Sequence, residues 1–373
     1  MDMDHDFEGT ILVTGVTGGI GTGWVHAHLA SPQAKTHITI YIVDSSTLSQ
    51  LEHTLSTSCP PECKHDIMVV DLSSQRSTQL FITSLTQDIS RNELPPIKLL
   101  LLIAGAMCLE PTSVSKTGVG FTSEGWERTW AVNYAANVLL ILRLVGVMGD
   151  GNGNGNGNGN GNGNGNGNGA RIVWLGSTSH DPSFLSNRAA FHTSEMKTIF
   201  KGEGKGDVER IAKWTDKIEK GDEFPAAVRR YGTSKLCMTM FMYALQRRLS
   251  SSSSPKLSHI QIVANSPGCV GGTTLTSSLP WYIRIVMQYA LVPLQALSVL
   301  FWKNGSLRTP AVAGQDLLWC CWDEGLKGGE YVDGRSVITS SPESLDVGKQ
   351  EELWKGTGEL LGLSEDMKAL EGY

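Results

Sequence analysis

Tyr231 and Lys235 stand four positions apart at the start of an apolar-faced stretch, Tyr231–Leu249, so on a helix both side chains share one face. A tyrosine with its ordinary pKa of about 10 is a poor acid–base group at neutral pH. A lysine cation at about 4 Å, in an effective dielectric near 20, stabilises phenolate by roughly 4 kcal/mol. Desolvation aside, that lowers the tyrosine pKa by about three, towards the working pH, so the pair can move a proton on a bound substrate. The spacing by itself is common by chance, and two side chains on a solvated helix face are its default explanation.

A second chemistry sits near the N-terminus. Thr14-Gly15-Val16-Thr17-Gly18-Gly19-Ile20-Gly21 follows a short apolar run and precedes Trp24, Val25 and Leu29 at helical spacing. Strand, glycine turn and helix together make a dinucleotide cradle, in which the backbone approaches a pyrophosphate and the helix start favours its charge. Asp44 ends the second apolar run, where a carboxylate accepts hydrogen bonds from the adenosine ribose and repels a 2′-phosphate. That favours NAD over NADP, and the absence of Lys or Arg between Gly15 and Gly21 points the same way. The alternative role for Asp44 is a cap before Ser45-Ser46-Thr47.

These groups need elements to hold them. Thr10–Thr14, Ile38–Val43, Ile67–Val70, Lys98–Ala104, Arg171–Leu175 and His259–Ala264 are near-continuous apolar runs, as strands buried on both faces require. Alternating with amphipathic stretches, they predict an α/β fold: a Rossmann-type, doubly wound parallel sheet in one domain over residues 9–335. Residues 1–8 are expected to be a flexible N-terminus, and 336–373 a C-terminal extension. The strict Gly-Asn alternation of 151–169 cannot bury apolar surface and is expected to be a disordered loop inserted in a connection. Residues 180–230, with the charged stretch Asp207–Lys220, are expected to form a helical flap. Ser250–Ser254 before Pro255 reads as a polar loop.

Composition narrows the partners. The 373 residues are 40% hydrophobic and 18% charged, enough for a full core, and the net charge of -6 includes no basic run suited to a nucleic-acid backbone. Seven cysteines, several in apolar runs, indicate a reduced, intracellular chain. Cys59 and Cys63 with His53 and His65 lack a second matched pair and enclose Pro60-Pro61, so they read as a loop and no metal is assigned. The acidic N-terminus lacks the features of a secretory signal, giving a cytoplasmic expectation. The only long apolar stretch, Trp281–Trp302, is interrupted by Arg284, Gln288, Pro293 and Gln295. A buried or interfacial segment is favoured over a span, with peripheral membrane contact as one outcome.

Taken in order, Thr14 to Gly21, Asn133, Ser177 and Tyr231 to Lys235 resemble the motifs of short-chain dehydrogenases/reductases. The likeness spans about residues 9 to 335 and is nearest to retinol-dehydrogenase-like and fungal branches acting on bulky lipophilic alcohols and ketones. A looser similarity to 3-ketosteroid reductases lies at Ile172-Val173-Trp174 and Asp181-Pro182. The resemblance implies that Tyr231 and Lys235 carry the proton and help hold the cofactor. It further implies that Ser177 bonds the substrate oxygen and Asn133 holds a water linking Lys235 to solvent. It assigns the NAD(P) site to Thr14, Gly15, Thr17, Gly19, Ile20, Gly21, Asp44, Asp71, Leu72, Ala104, Gly105 and Asn133. Pro267, Gly268, Val270 and Thr273 would close over nicotinamide, and 275–305 would bind a lipophilic alcohol or carbonyl substrate. A homo-oligomer is compatible with this family.

Two departures stand out: Ile103-Ala104-Gly105 replaces Asn-Ala-Gly, and Gly176 replaces the serine before Ser177. The first removes a sheet-bracing side chain. The rival classes are a non-catalytic nucleotide sensor or scaffold, and a membrane tether. The survival of all four catalytic-type residues opposes the first.

Overall fold

The computed structural model describes residues 7–108, 120–149, 169–216, 218–219, 221–271, 285 and 307–371. Thr273, most of the 151–169 repeat, residues 1–6 and, apart from Ile285, the 275–305 segment lie outside the described residues.

The chain opens with β1 (Gly9–Thr14), α1 (Gly19–Leu29), β2 (His37–Val43), α2 (Leu48–Ser58), β3 (His65–Val69), α3 (Gln75–Ser90) and β4 (Ile97–Leu102). A continuous helix, α4 (Arg128–Val147), leads towards β5 (Arg171–Leu175). Then come α5 (Lys205–Lys213), α6 (Glu223–Ser251), β6 (Gln261–Ser266), α7 (Pro310–Trp322), β7 (Tyr331–Asp333) and β8 (Ser336–Ile338). Two helices, α8 (Val347–Leu361) and α9 (Ser364–Glu371), complete the described chain.

The sheet order is β8-β7-β6-β5-β4-β1-β2-β3, parallel except for β8. Alternate residues of the central strands feed opposite layers. Leu12, Leu100, Ile172 and Ile262 pack beneath α3, α4, α6 and α8, whereas Ile11, Leu99, Val173 and Val263 pack with α1 and α7. Burial on both faces explains why these strands are apolar without a break. It is the doubly wound Rossmann arrangement expected from the alternating runs.

Several boundaries differ from the sequence reading. The 180–230 region is mainly irregular, with 3₁₀ turns at Thr178–His180, Leu185–Asn187 and Glu195–Lys197 and one helix, α5, shorter than Asp207–Lys220 suggests. The helix bearing Tyr231 begins at Glu223, inside the stretch assigned to a flap. One helix among the described residues, α4, is long and apolar enough to cross a membrane, and most of it is buried in the core; the 281–302 stretch lies outside the described residues apart from Ile285.

Residues past 335 are part of the core rather than an appendage. β8 extends the sheet, and Trp354 of α8, 1% exposed, stacks on Phe241 of α6 with ring centroids 5.1 Å apart while Arg248 covers its other face. Tyr134 of α4 bonds Thr357 at 2.8 Å. The apolar pattern of α8 was too mixed to reveal this partner. Trp354→Ala should destabilise the protein by about 3–5 kcal/mol in urea unfolding, as loss of a fully buried large aromatic does; a loss of under about 1 kcal/mol would mark the C-terminal helices as dispensable.

Candidate active site

β1 and β4 are neighbours whose following helices lie on opposite faces, which opens a crevice at their C-terminal ends. Gly15 turns out of β1 with φ +73°, and a Cβ there would stand 2.4 Å from the Ala104 nitrogen. Only glycine permits that turn and approach. The Ala104 N–H donates to Thr14 Oγ1 at 3.2 Å, so a threonine ties the two strand ends beside Ile103, which is itself buried in the apolar layer.

A cavity of about 410 Å³ fills the crevice. Gly15, Thr17, Gly19, Ile20 and Gly21 form one wall, Asp44, Asp71 and Leu72 a second, and Ala104, Gly105, Tyr231 and Lys235 a third. Gly18, the N-cap of α1, supplies no side-chain cap, and no acidic residue occupies the first turn. The opening N–H groups of α1 therefore face the cavity available to an anion. These residues suit a dinucleotide: the uncapped start of α1 would hold its pyrophosphate, and Asp44 and Asp71 would serve its adenosine half.

The two carboxylates are built alike. Asp44 accepts from the Ser46 amide at 2.9 Å and hydroxyl at 2.6 Å, and Asp71 from the Ser73 amide at 2.8 Å and hydroxyl at 2.6 Å. The capping role and the cavity-lining role of Asp44 thus coexist. The Ser46 hydrogen bonds hold its carboxyl below the usual range, with Arg128 adding a smaller attraction. Arg128 and Val132, one turn apart on α4, line the same cavity; their i, i+4 spacing on an apolar helix was the available signal, and the sequence reading passed over it.

At the other end, Lys235 is 1% exposed and donates to the Leu175 carbonyl at 2.7 Å, with its Nζ 5.6 Å from the centre of the Tyr231 ring. Ser177, two residues past β5, stands near enough to the Tyr231 phenol to oppose the rise that burial gives its pKa. The long connection between Ser177 and Tyr231 is bridged by direct packing: a Cβ on Gly232 would meet the Ser179 carbonyl oxygen at 2.5 Å. Glycine after the tyrosine therefore lets the serine turn rest on α6.

Asn133 lies in a π-helical stretch, Ala131–Ala135, of α4. Its Oδ1 accepts from the Ala106 amide at 2.6 Å, and its Nδ2 donates to the Ala106 carbonyl at 3.0 Å and Ser234 Oγ at 2.9 Å. The Asn137 amide donates to the Asn133 carbonyl at 2.9 Å. Asn133 thus braces the loop after β4 against α6, with Gly105 between it and Lys235: a Cβ there would be 3.4 Å from Asn133 Oδ1 and 3.8 Å from Lys235 Nζ.

The electrostatic expectation for the pair is reversed. Burial pushes Tyr231 up to about 12, opposed only by Ser177, and the same desolvation brings Lys235 down to about 7. The lysine points at a carbonyl rather than at the phenol oxygen, so loss of hydration outweighs attraction. Tyr231 is a neutral phenol at neutral pH.

Comparison with known proteins bears on the fold and the family. The short-chain dehydrogenase iccH of Talaromyces variabilis is 26% identical over 369 residues, spanning 93% of this chain and 94% of that protein. A solved structure described as angucycline C-6 ketoreductase LanV with bound NADP shares the fold at TM-score 0.53 and 15% identity, covering 91% of this chain and 97% of that one. The chain belongs to the short-chain dehydrogenase/reductase family. It is an NAD(P)-dependent oxidoreductase. Residues 274–370 of this short-chain dehydrogenase/reductase also match the AcuH dehydrogenase domain. The dehydrogenase acuH of Aspergillus aculeatus is 34% identical over 96 residues, 26% of this chain and 96% of that protein.

Not every assigned residue of this short-chain dehydrogenase/reductase reaches the cavity. Thr14, Asn133 and Ser177 are not among its walls; Thr14 and Asn133 bond the Ala104–Ala106 loop that is. Pro267, Gly268 and Val270 follow β6 and are not among its walls; Gly268 turns with φ +69°, and Cys269–Val270 pairs with Leu307–Arg308.

The buried lysine carries a pH signature. Its folded pKa, about 7, lies below the unfolded value of about 10.4, so the unfolded chain binds more protons between them and stability rises with pH across that window. Lys235→Met should therefore be more stable than the parent near pH 6–7, with the advantage shrinking towards pH 10. Urea unfolding at pH 6.5, 8 and 9.5 measures this; a difference independent of pH would contradict a depressed lysine.

Proposed function

We propose that this enzyme reduces the carbonyl of a lipophilic ketone or aldehyde, reversibly, with NADH preferred as donor. The observation that carries the reading is Tyr231: a neutral phenol lining the cofactor cavity, near Ser177 and one helical turn from Lys235. The cofactor, when bound, supplies the hydride. Tyr231 gives its proton to the substrate oxygen as negative charge develops there, and the Ser177 hydroxyl donates to that same oxygen. Lys235 then faces a tyrosinate, whose charge draws the lysine pKa upward and favours the ammonium. The resemblance adds a role for Lys235 at the nicotinamide ribose.

For the cofactor, the hydrogen-bonded and ionised Asp44 favours a free ribose over a 2′-phosphate. For the substrate, the apolar content of 281–302 and the likeness to enzymes of bulky alcohols and ketones support a greasy molecule. A cytoplasmic enzyme with peripheral membrane contact through 281–302 belongs to the same reading. Flotation with liposomes tests that contact, and protein that stays with the soluble fraction rules it out.

NADH and NADPH compared side by side against lipophilic ketones, aldehydes and quinones test the reaction. Tyr231→Phe should lower turnover at least about a hundredfold while NADH still binds. In the same assay Asp44→Ser should shift preference towards NADPH by roughly tenfold, since the repelling carboxylate is gone and Arg128 remains. Near-normal turnover by the phenylalanine variant would overturn the catalytic assignment. Cofactor binding without turnover on any carbonyl would favour a nucleotide sensor.

A further inference from the structure

Ser177 is gripped by its main chain as well as by its hydroxyl. Tyr331, at the start of β7 and 1% exposed, accepts from the Ser177 N–H at 3.2 Å and donates its own proton to the Ser177 carbonyl at 3.0 Å. His180, also buried, joins the same carbonyl. The Ser341 N–H donates to His180 Nε2 at 3.0 Å, which makes that nitrogen the acceptor and leaves the ring proton on Nδ1. Nδ1 stands 2.7 Å from the Ser177 carbonyl oxygen and 3.2 Å from Tyr331 Oη.

The space for the tyrosine ring is set by a glycine. A Cβ on Gly176 would stand 3.0 Å from Tyr331 Oη and 3.2 Å from Cε2. Those separations are tighter than ordinary packing contacts. Gly176 is the departure noted in the sequence, and its missing side chain is the volume that Tyr331 occupies.

The consequence reaches the hydroxyl. With its N–H and carbonyl both bonded to one ring, the Ser177 Cα–Cβ bond has a fixed direction, and only χ1 is left free. Oγ accepts from the Ser179 N–H at 3.1 Å, so its own hydrogen is available to donate. We propose that Tyr331 and His180 are positioning residues that aim the Ser177 hydroxyl at the substrate oxygen, with Gly176 making the room they need. This rests on the carbonyl-reduction reading above, in which Ser177 donates to that oxygen.

Tyr331→Phe keeps the ring and removes the bridging hydroxyl. Its kcat should fall roughly tenfold or more on the best carbonyl of the panel, while KM for NADH and NADH binding by tryptophan fluorescence stay within about twofold. Backbone amide exchange in residues 172–181 should quicken by roughly tenfold, with circular dichroism unchanged. Gly176→Ser should lower kcat as well, and combined with Tyr331→Phe should cost less than the product of the two single losses, because both act on one contact. If Tyr331→Phe keeps kcat within about twofold, or loses NADH binding and kcat together in proportion to lost fold, the positioning role is overturned. Should the parent enzyme turn over no carbonyl, the reaction reading fails on its own account. Exchange in 172–181 then decides the brace separately: quickening sustains it, and unchanged protection overturns it.

Discussion

The contact between the Lys235 ammonium and the Leu175 carbonyl is the constraint on which the active site depends. A lysine in apolar surroundings loses its hydration and must find partners in protein, and here the partner is the last carbonyl of β5. That single bond ties α6, which carries Tyr231, to the strand end that leads into Ser177. Because β5 is held between β4 and β6 in parallel register, the position of α6 is referred to the whole sheet. Tyr231 and Ser177 are therefore placed by one rigid frame, although 53 residues separate them in sequence.

Other polar contacts serve the same end. Glu127, buried at the start of α4, caps the Trp130 amide at 2.9 Å and faces Arg230, the residue before Tyr231, at 3.4 Å. Burial raises the Glu127 pKa, and the arginine opposes that shift. With Asn133 bonded to Ser234, α4 and α6 are joined on both sides of the tyrosine. Such buried groups have few alternative partners, so helix register is specified more sharply than apolar packing alone would achieve.

Burial and pairing compete throughout the cavity, and which prevails varies with depth. At the open end, Asp44 and Asp71 take serine partners and line the cavity. At the closed end, desolvation makes the Tyr231 phenol harder to ionise and weakens the hold of Lys235 on its proton. One crevice therefore has a charged end suited to recognising a nucleotide and a poorly hydrated end suited to passing a proton.

The sequence by itself determined the fold class, because strands buried on both faces must be apolar throughout and the glycine turn after β1 can be read from residue type. It also placed Tyr231 and Lys235 together, since they are neighbours on one helix and their relation is local. What it could not determine was the state of those groups: phenolate stabilisation was expected from charge proximity, whereas the lysine points at Leu175 and burial prevails. Nor did it reveal that residues beyond 335 belong to the core, or that Tyr331 supports Ser177 from 154 positions away. Those relations arise only when the sheet brings β7 beside β6 and within reach of the end of β5. Residue type and local spacing are written along the chain, but hydration and long-range contact belong to the folded volume.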